Sequence, residues 1–334
     1  MNMKDCPLVR LGRYDAQEKD FCLWWSGSGI RLDITCTYLT VEAESFATDH
    51  APWIGVLADG APIARFPLLK GRHTYPILAG MDPAFSHEIT IQRDTQPTPD
   101  EEMPVLLHAI DTDGTPRMPK ERKRLIEFIG DSLTVGEGCT GAHEAEEWRM
   151  SWMCNMAAFP TLVSEGLRAD KRVIAVSGWG AWKSWDAIPE NRLGRIYEQL
   201  CALIPAGNVP YDFRERSADA VVINLGTNDA SALGQEADPI AAGRELTQKA
   251  AELIKLVRSH QPGALILWAY GLCGVKIPTL LQDAVAQCRA AGDENVYFLQ
   301  LTDCDGDVGS RQHPSRAAHR KAAEEIMDFL NTHQ

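Results

Sequence analysis

Leu125-Ile126-Glu127-Phe128-Ile129-Gly130-Asp131-Ser132-Leu133-Thr134 is the stretch on which the reading of this chain turns. A short, mostly apolar run stops at Gly130, and the pattern predicts a buried strand that turns through Gly130 and Asp131 into a helix start at Ser132. Such a turn lifts a side chain above the sheet edge, where the first N–H groups of a helix can face developing negative charge. The plainer reading is helix capping, which Asp and Ser commonly perform. The Gly-x-Ser-x-Gly of a nucleophile elbow is not present.

Working outward, residues 172–176, 220–224, 265–270 and 296–299 repeat the buried-strand signal of 125–129. They alternate with helical patterns over 192–203, 244–259, 279–291 and 315–331. Five strand signals with intervening helices predict a doubly wound α/β domain with a parallel sheet, whose ligands sit beyond the carboxyl ends of the strands. Upstream the period changes. Residues 21–25, 30–39, 53–57, 74–79 and 87–92 read as short strands separated by Gly, Pro and Asp turns, which predicts a β-sandwich. The stretch 94–104 has the composition of a loop or hinge, but 105–110 is a further strand that rejoins the first sheets. The polar run 111–123 is therefore the expected junction, giving a β-sandwich domain over 1–120 and an α/β domain over 121–334.

Bulk properties narrow the partners. Hydrophobic residues are 45% and charged residues 24% of the 334, the balance of a globular protein. A formal net charge of -13 repels a polyanion and gives no general attraction to an anionic bilayer, so neither nucleic acid nor membrane is expected as a partner. Nine cysteines without a repeated short spacing argue for free thiols in a reducing compartment. The amino end carries charges and no continuous apolar run, and no stretch approaches a membrane span. A cytoplasmic location is the expectation.

Three further positions stand with Ser132. Asn228, in Ile223-Asn224-Leu225-Gly226-Thr227-Asn228-Asp229, lies at a strand exit, where an amide N–H can stabilise an oxyanion; Asp229 there could cap the next segment and Asn224 tie down the loop. Gly178, in Ala175-Val176-Ser177-Gly178-Trp179-Gly180, occupies another exit and could present an unobstructed backbone N–H, or simply a bend. His313, in Gly309-Ser310-Arg311-Gln312-His313-Pro314-Ser315, precedes a Pro at a plausible first helical position; neutral imidazole there can take the Ser132 proton and return it to a leaving alkoxide.

Together Gly130-Asp131-Ser132-Leu133, Gly178, Gly226-Thr227-Asn228-Asp229 and His313-Pro314-Ser315 resemble, in order and broad spacing, the SGNH or GDSL-type hydrolase superfamily. The resemblance implies Ser132 as nucleophile, the N–H of Ser132 with Gly178 and Asn228 as oxyanion donors, and His313 as general base. With its β-rich front half and Phe21-Cys22-Leu23-Trp24-Trp25-Ser26-Gly27-Ser28-Gly29-Ile30, the chain looks like the two-domain carbohydrate esterases of family 2. That resemblance implies a jelly-roll first domain and removal of O-acetyl groups from an acetylated mono- or oligosaccharide, with neither cofactor nor metal.

One family feature is missing. Many superfamily members carry an Asp three residues before the base, and here that position is Ser310. A neutral base still needs its other ring N–H held. Some family 2 esterases are similar in using a Ser-His pair whose His is held by carbonyl groups, so a dyad is expected, with Asp307 the leading carboxylate alternative. The alternating acids Asp303, Asp305 and Asp307 lack the Gly position and late Glu of a calcium loop and read as a solvated loop. Trp179, Trp182 and Trp185, with Trp148 and Trp152 in the insertion after Ser132, are candidate sugar-facing rings as well as ordinary core material. Two other functions use the same features: a lysophospholipase or acyl-thioesterase, and a noncatalytic carbohydrate-binding protein. Monomer and homo-oligomer are both left open.

Overall fold

The computed structural model describes residues 1–18 and 20–333, and the chain divides into two units: Met1–Arg122 with Gln199–Tyr211, and Lys123–Glu198 with Asp212–Gln334. In the first unit the strands among the described residues are β1 (Val9–Leu11), β2 (Phe21–Leu23), β3 (Gly29–Thr35), β4 (Tyr38–Ser45), β5 (Trp53–Ala58), β6 (Ala61–Pro67), β7 (Gly71–Ala79), β8 (His87–Arg93), β9 (Val105–Thr112) and β10 (Thr115–Arg117). β4 buries Leu39, Val41, Ala43 and Ser45 and turns the residues between them outward, the period-two pattern of a strand with one face on a core. Pairing between these strands is antiparallel. One sheet runs β1-β3-β8-β5-β6, with β10 also on β3, and the other runs β2-β9-β4-β7. Ile30, Leu32, Ile54, Val56, Ile89 and Ile91 of the first meet Leu39, Val41, Leu107 and Ile110 of the second in one apolar cluster, so the two sheets share a core.

Local details depart from the sequence reading. The expected single strand over 30–39 is two, β3 and β4, because the chain turns at Cys36 and Thr37 and the Asp113 carboxylate accepts from Thr37 N at 2.9 Å and Tyr38 N at 3.3 Å. The hinge-like stretch 94–104 is pinned. Arg93, fully buried, donates to Glu101 at 2.8 Å through Nη1 and to the Thr95 and Gln96 carbonyls at 2.9 and 2.8 Å. Such a fully paired fork satisfies a charge that would be costly if buried alone. Residues 199–211 complete this unit, with Trp25 Nε1 donating to Leu200 O at 2.7 Å and Arg13 Nη1 to Gln199 O at 2.8 Å.

The second unit is the expected α/β domain. Its strands β11 (Leu125–Gly130), β12 (Asp170–Ala175), β13 (Ala220–Asn224), β14 (Leu265–Tyr270) and β15 (Val296–Gln300) pair in parallel in the order β12-β11-β13-β14-β15. Every residue of the first four is buried, which explains the apolar stretches by which they are read, although β12 opens with the buried charged residues Asp170, Lys171 and Arg172. Helices α1 (Ser132–Val135), α2 (Phe159–Gly166), α3 (Thr227–Leu233), α4 (Pro239–His260), α5 (Pro278–Ala290) and α6 (Arg316–His333) alternate with them, α2 packing on α6 and α4 on α5. Counted from β11 the order is 2-1-3-4-5, which places the topological switch between β11 and β13, where doubly wound sheets open a crevice. Ser132 and Asn228 follow those two strands.

One expected helix does not form. Over 192–203 there is a single tight turn, Leu193–Arg195, after which the chain runs irregularly with Tyr197 and Leu200 buried and the Tyr197 hydroxyl donating to Glu127 Oε1 at 2.6 Å. Apolar spacing there reports burial of irregular backbone, a case where tertiary packing overrides period. No helix among the described residues is long and apolar enough to cross a membrane.

Candidate active site

At the exit of β11 only glycine fits. A Cβ on Gly130 would lie 1.9 Å from Thr134 Oγ1 and 2.9 Å from Asn224 O, so the strand can turn directly into α1 only without one. Asp131 then caps that helix, Oδ1 accepting from Leu133 N at 3.0 Å. The capping reading therefore holds for Asp131 and leaves Ser132 available; its N–H, at the first helical position, has no intrahelical acceptor. Burial pushes the Asp131 carboxyl up to about 8, against the Leu133 N–H and with Asp229 and Glu137 adding to the rise.

The turns that carry Asn228 and Gly178 are built around two acids, Asp131 and Asp229. Asn228 Nδ2 donates to Trp179 O at 2.9 Å and to Asp131 Oδ2 at 3.2 Å, which fixes the amide beside the turn that leads into Ser132. Gly178 has φ +83°, and a Cβ there would sit 3.0 Å from Trp185 Cδ1. Its loop is anchored by Asp229, fully buried, whose carboxylate accepts from Ala181 N, Trp182 N and Lys183 N at 3.0, 2.7 and 3.2 Å. Burial raises the Asp229 pKa against these three donors. Asp229 thus holds the Gly178 loop in place of capping α3, and Asn224 ties β13 to β14 through Ala269 O at 2.8 Å.

His313 is oriented by a carbonyl. Its Nδ1 lies 2.9 Å from Arg311 O; a carbonyl can only accept, so Nδ1 carries the proton and Nε2 presents its lone pair for a serine proton. Asp307 does not fill this role: its side chain is exposed, and its backbone carbonyl accepts from Ser315 N at 3.0 Å. Ser310 is small for a packing reason. Its N–H donates to Gly138 O at 3.0 Å, and Cβ atoms added to Gly138 or Gly141 would fall 2.4 Å from Ser310 O or 2.2 Å from Ser310 Oγ. The position that carries Asp in the resemblance is here the seam where the His313 loop docks on the loop that follows Ser132.

Ser132, Gly178, Asn228 and His313 line one cavity of about 320 Å³, together with Trp148, Trp185 and three residues the sequence reading did not single out: Ser177, Glu137 and Arg311. Glu137 lies five residues after Ser132 and Arg311 two before His313; nothing in their local sequence distinguishes them from surface charges. Among the candidate sugar-facing rings, Trp185 is 60% exposed at this cavity, Trp179 is half-buried and contributes its carbonyl to Asn228, and Trp182 is 1% exposed, a core residue that does not line the cavity.

A serine at a helix start, a histidine held by its Nδ1–H, an amide and a positive-φ glycine around one crevice at the switch point of a parallel sheet define an SGNH-type hydrolase site. The chain belongs to the GDSL-like Lipase/Acylhydrolase family, which matches residues 128–325. It is 27% identical over 326 residues to a cellulase/esterase of Acetivibrio thermocellus, an alignment covering 94% of this chain and 38% of that longer protein. Among solved structures it is similar to an acetyl xylan esterase from the rumen bacterium Butyrivibrio proteoclasticus, with TM-score 0.95, 26% identity, and 100% and 97% of the two chains covered. A family two carbohydrate esterase from Clostridium thermocellum in complex with cellohexaose is also similar, with TM-score 0.86, 26% identity and 98% of each chain covered.

Proposed function

We propose that this protein is a carbohydrate esterase of family 2 type that removes O-acetyl groups from acetylated sugars or oligosaccharides through an acetyl-enzyme. The observation that carries the reading is the Nδ1–Arg311 carbonyl bond, which leaves His313 Nε2 as an acceptor in the cavity that Ser132 lines. Ser132 Oγ attacks the acetyl carbonyl carbon as its proton passes to Nε2. The N–H groups of Ser132 and Gly178 and the Asn228 amide receive the oxyanion. Collapse breaks the bond to the sugar oxygen, which leaves with the His313 proton, and water repeats the sequence to release acetate.

The cavity supports a short acyl group. About 320 Å³ is at the small end of ligand pockets, with two tryptophans, Trp148 and Trp185, at its wall for the flat face of a sugar. The sandwich supports a jelly roll: setting aside β1 and β10 and numbering β2 to β9 from one to eight, the sheets run 1-8-3-6 and 2-7-4-5. Nine free thiols support a cytoplasmic place of action, which fractionation of the native cell would test.

Acetate release from O-acetylated xylo-, manno- and gluco-oligosaccharides, compared between wild type and Ser132→Ala, is the direct test. Near-complete loss in a folded variant is expected; undiminished release would remove Ser132 from the mechanism. A wild-type preference for octanoyl over acetyl esters would favour a lysophospholipase or acyl-thioesterase instead.

A further inference from the structure

We infer that Glu137 is the positioning residue for the base, clamping the peptide carbonyl that stands where a triad would place a carboxylate; the inference rests on the esterase reading above. The base's loop holds a conformation that needs holding. Arg311 and Gln312 have φ +54° and +56°, left-handed values that non-glycine residues adopt at a cost, usually where surrounding structure imposes them. This double excursion is what aims the Arg311 carbonyl at Nδ1 of a ring only two residues further on.

The restraint comes from the nucleophile's side of the crevice. Glu137 pairs through Oε1 with Arg311 Nη1, and Glu137 is only 4% exposed. Its own N–H donates to Ser132 O at 2.9 Å, so the anchor starts one helical turn from the nucleophile. Backbone bonds flank the clamp: Ser310 N to Gly138 O at 3.0 Å and Arg311 N to Ala145 O at 2.8 Å. A merely structural ion pair would end there. The same Oε1 also lies 4.0 Å from His313 Nε2. With Nε2 unprotonated, the carboxylate meets a lone pair and gains nothing. Once Nε2 has taken the Ser132 proton, the carboxylate faces an imidazolium across a shielded gap, so the interaction strengthens as the reaction proceeds. Glu137 itself neither gives nor receives a proton.

The test compares wild type, Glu137→Gln and Arg311→Met by kcat and KM on an acetylated xylo-oligosaccharide, and by the 15N NMR signature of the His313 ring, which reports which nitrogen holds the proton. For Glu137→Gln, kcat is expected to fall roughly ten- to a hundredfold, less than the 10²–10⁴ ascribed to a general base itself, with KM within about twofold. Part of the His313 population should move to the Nε2–H tautomer. Arg311→Met, which keeps the carboxylate but frees the loop, should show the same tautomer change with a smaller loss in kcat. An unchanged tautomer in both variants, or a folded Glu137→Gln with wild-type kcat, overturns the inference. If Glu137→Gln fails to fold, the Arg311→Met spectrum decides alone. A wild type without ester turnover would sink the esterase reading while the spectra still judge the clamp.

Discussion

Lowering the pH from 7 to 4.5 should cost this protein roughly 2–3 kcal/mol through one side chain, at roughly 1.36 kcal/mol per pH unit below the ordinary histidine value. His319, in α6, has no exposed surface and stacks on Phe159 with ring centroids 6.1 Å apart. Neither ring nitrogen has a hydrogen-bond partner among the described residues. Burial, with His313 adding to it, pushes its pKa from 6.5 down to about 3. The sign follows: between 6.5 and 3 the unfolded chain binds a proton that the native state does not, so stability falls as pH drops through that window and stays intact above it. Two units of the window lie above pH 4.5. Asp131 acts in the opposite sense, since its raised value lets the folded state take up a proton first as pH falls from about 8. The raw acid profile therefore mixes the two, and His319→Leu separates them. Urea unfolding of both proteins at pH 7 and pH 4.5 should show the stability difference between variant and wild type shifting by roughly 2–3 kcal/mol in favour of the variant. At pH 7 the variant should match or exceed wild type, because an unpartnered buried polar group has been replaced by an apolar one. A difference that stays constant between the two pH values to within about 0.5 kcal/mol would refute a neutral, sealed imidazole.

Two further outcomes concern the crevice. Asn228→Ala should lower kcat on acetyl esters by roughly 10²–10³ with little change in KM, the usual loss for one oxyanion donor; a KM effect alone would mean the amide binds ground state and transition state equally. Trp185→Ala should raise KM for an acetylated oligosaccharide several-fold and leave kcat for 4-nitrophenyl acetate within about twofold, since the ring offers a face to sugar and nothing to a small leaving group. Equal losses on both substrates would make Trp185 a support for the Gly178 loop instead.

What could be read in advance follows from the range of the forces involved. The parallel strands are legible because burial on both sheet faces writes apolar stretches into the sequence, complete in four strands and only partial in β15, and Ser132, Asn228 and Gly178 stand out because strand exits carry Gly, Asp and Asn for backbone reasons that are local. β6 is not legible, since its residues are exposed or half-buried and show no alternation. The segment 192–203 misled because Ile196, Tyr197 and Leu200 are buried without being helical. The partner of His313 Nδ1 was legible only as a choice between a carboxylate and a carbonyl. Settling it required the positive φ of Arg311, a property no side-chain identity announces. Glu137 was invisible for a similar reason: its meaning comes from a loop 174 residues away.

The membership of residues 199–211 in the first unit bears on how the molecule is made. Every strand of the sandwich has left the ribosome's active centre by Arg117, yet the carbonyls that receive Arg13 Nη1 and Trp25 Nε1 belong to Gln199 and Leu200. At 5–20 residues per second, the 82 residues from 117 to 199 take roughly 4–16 s to synthesise. Through that interval the nascent chain carries an assembled pair of sheets with an indole and a guanidinium still waiting for their acceptors. Those two bonds can close only after Lys123–Glu198, the whole first segment of the second unit, has been translated.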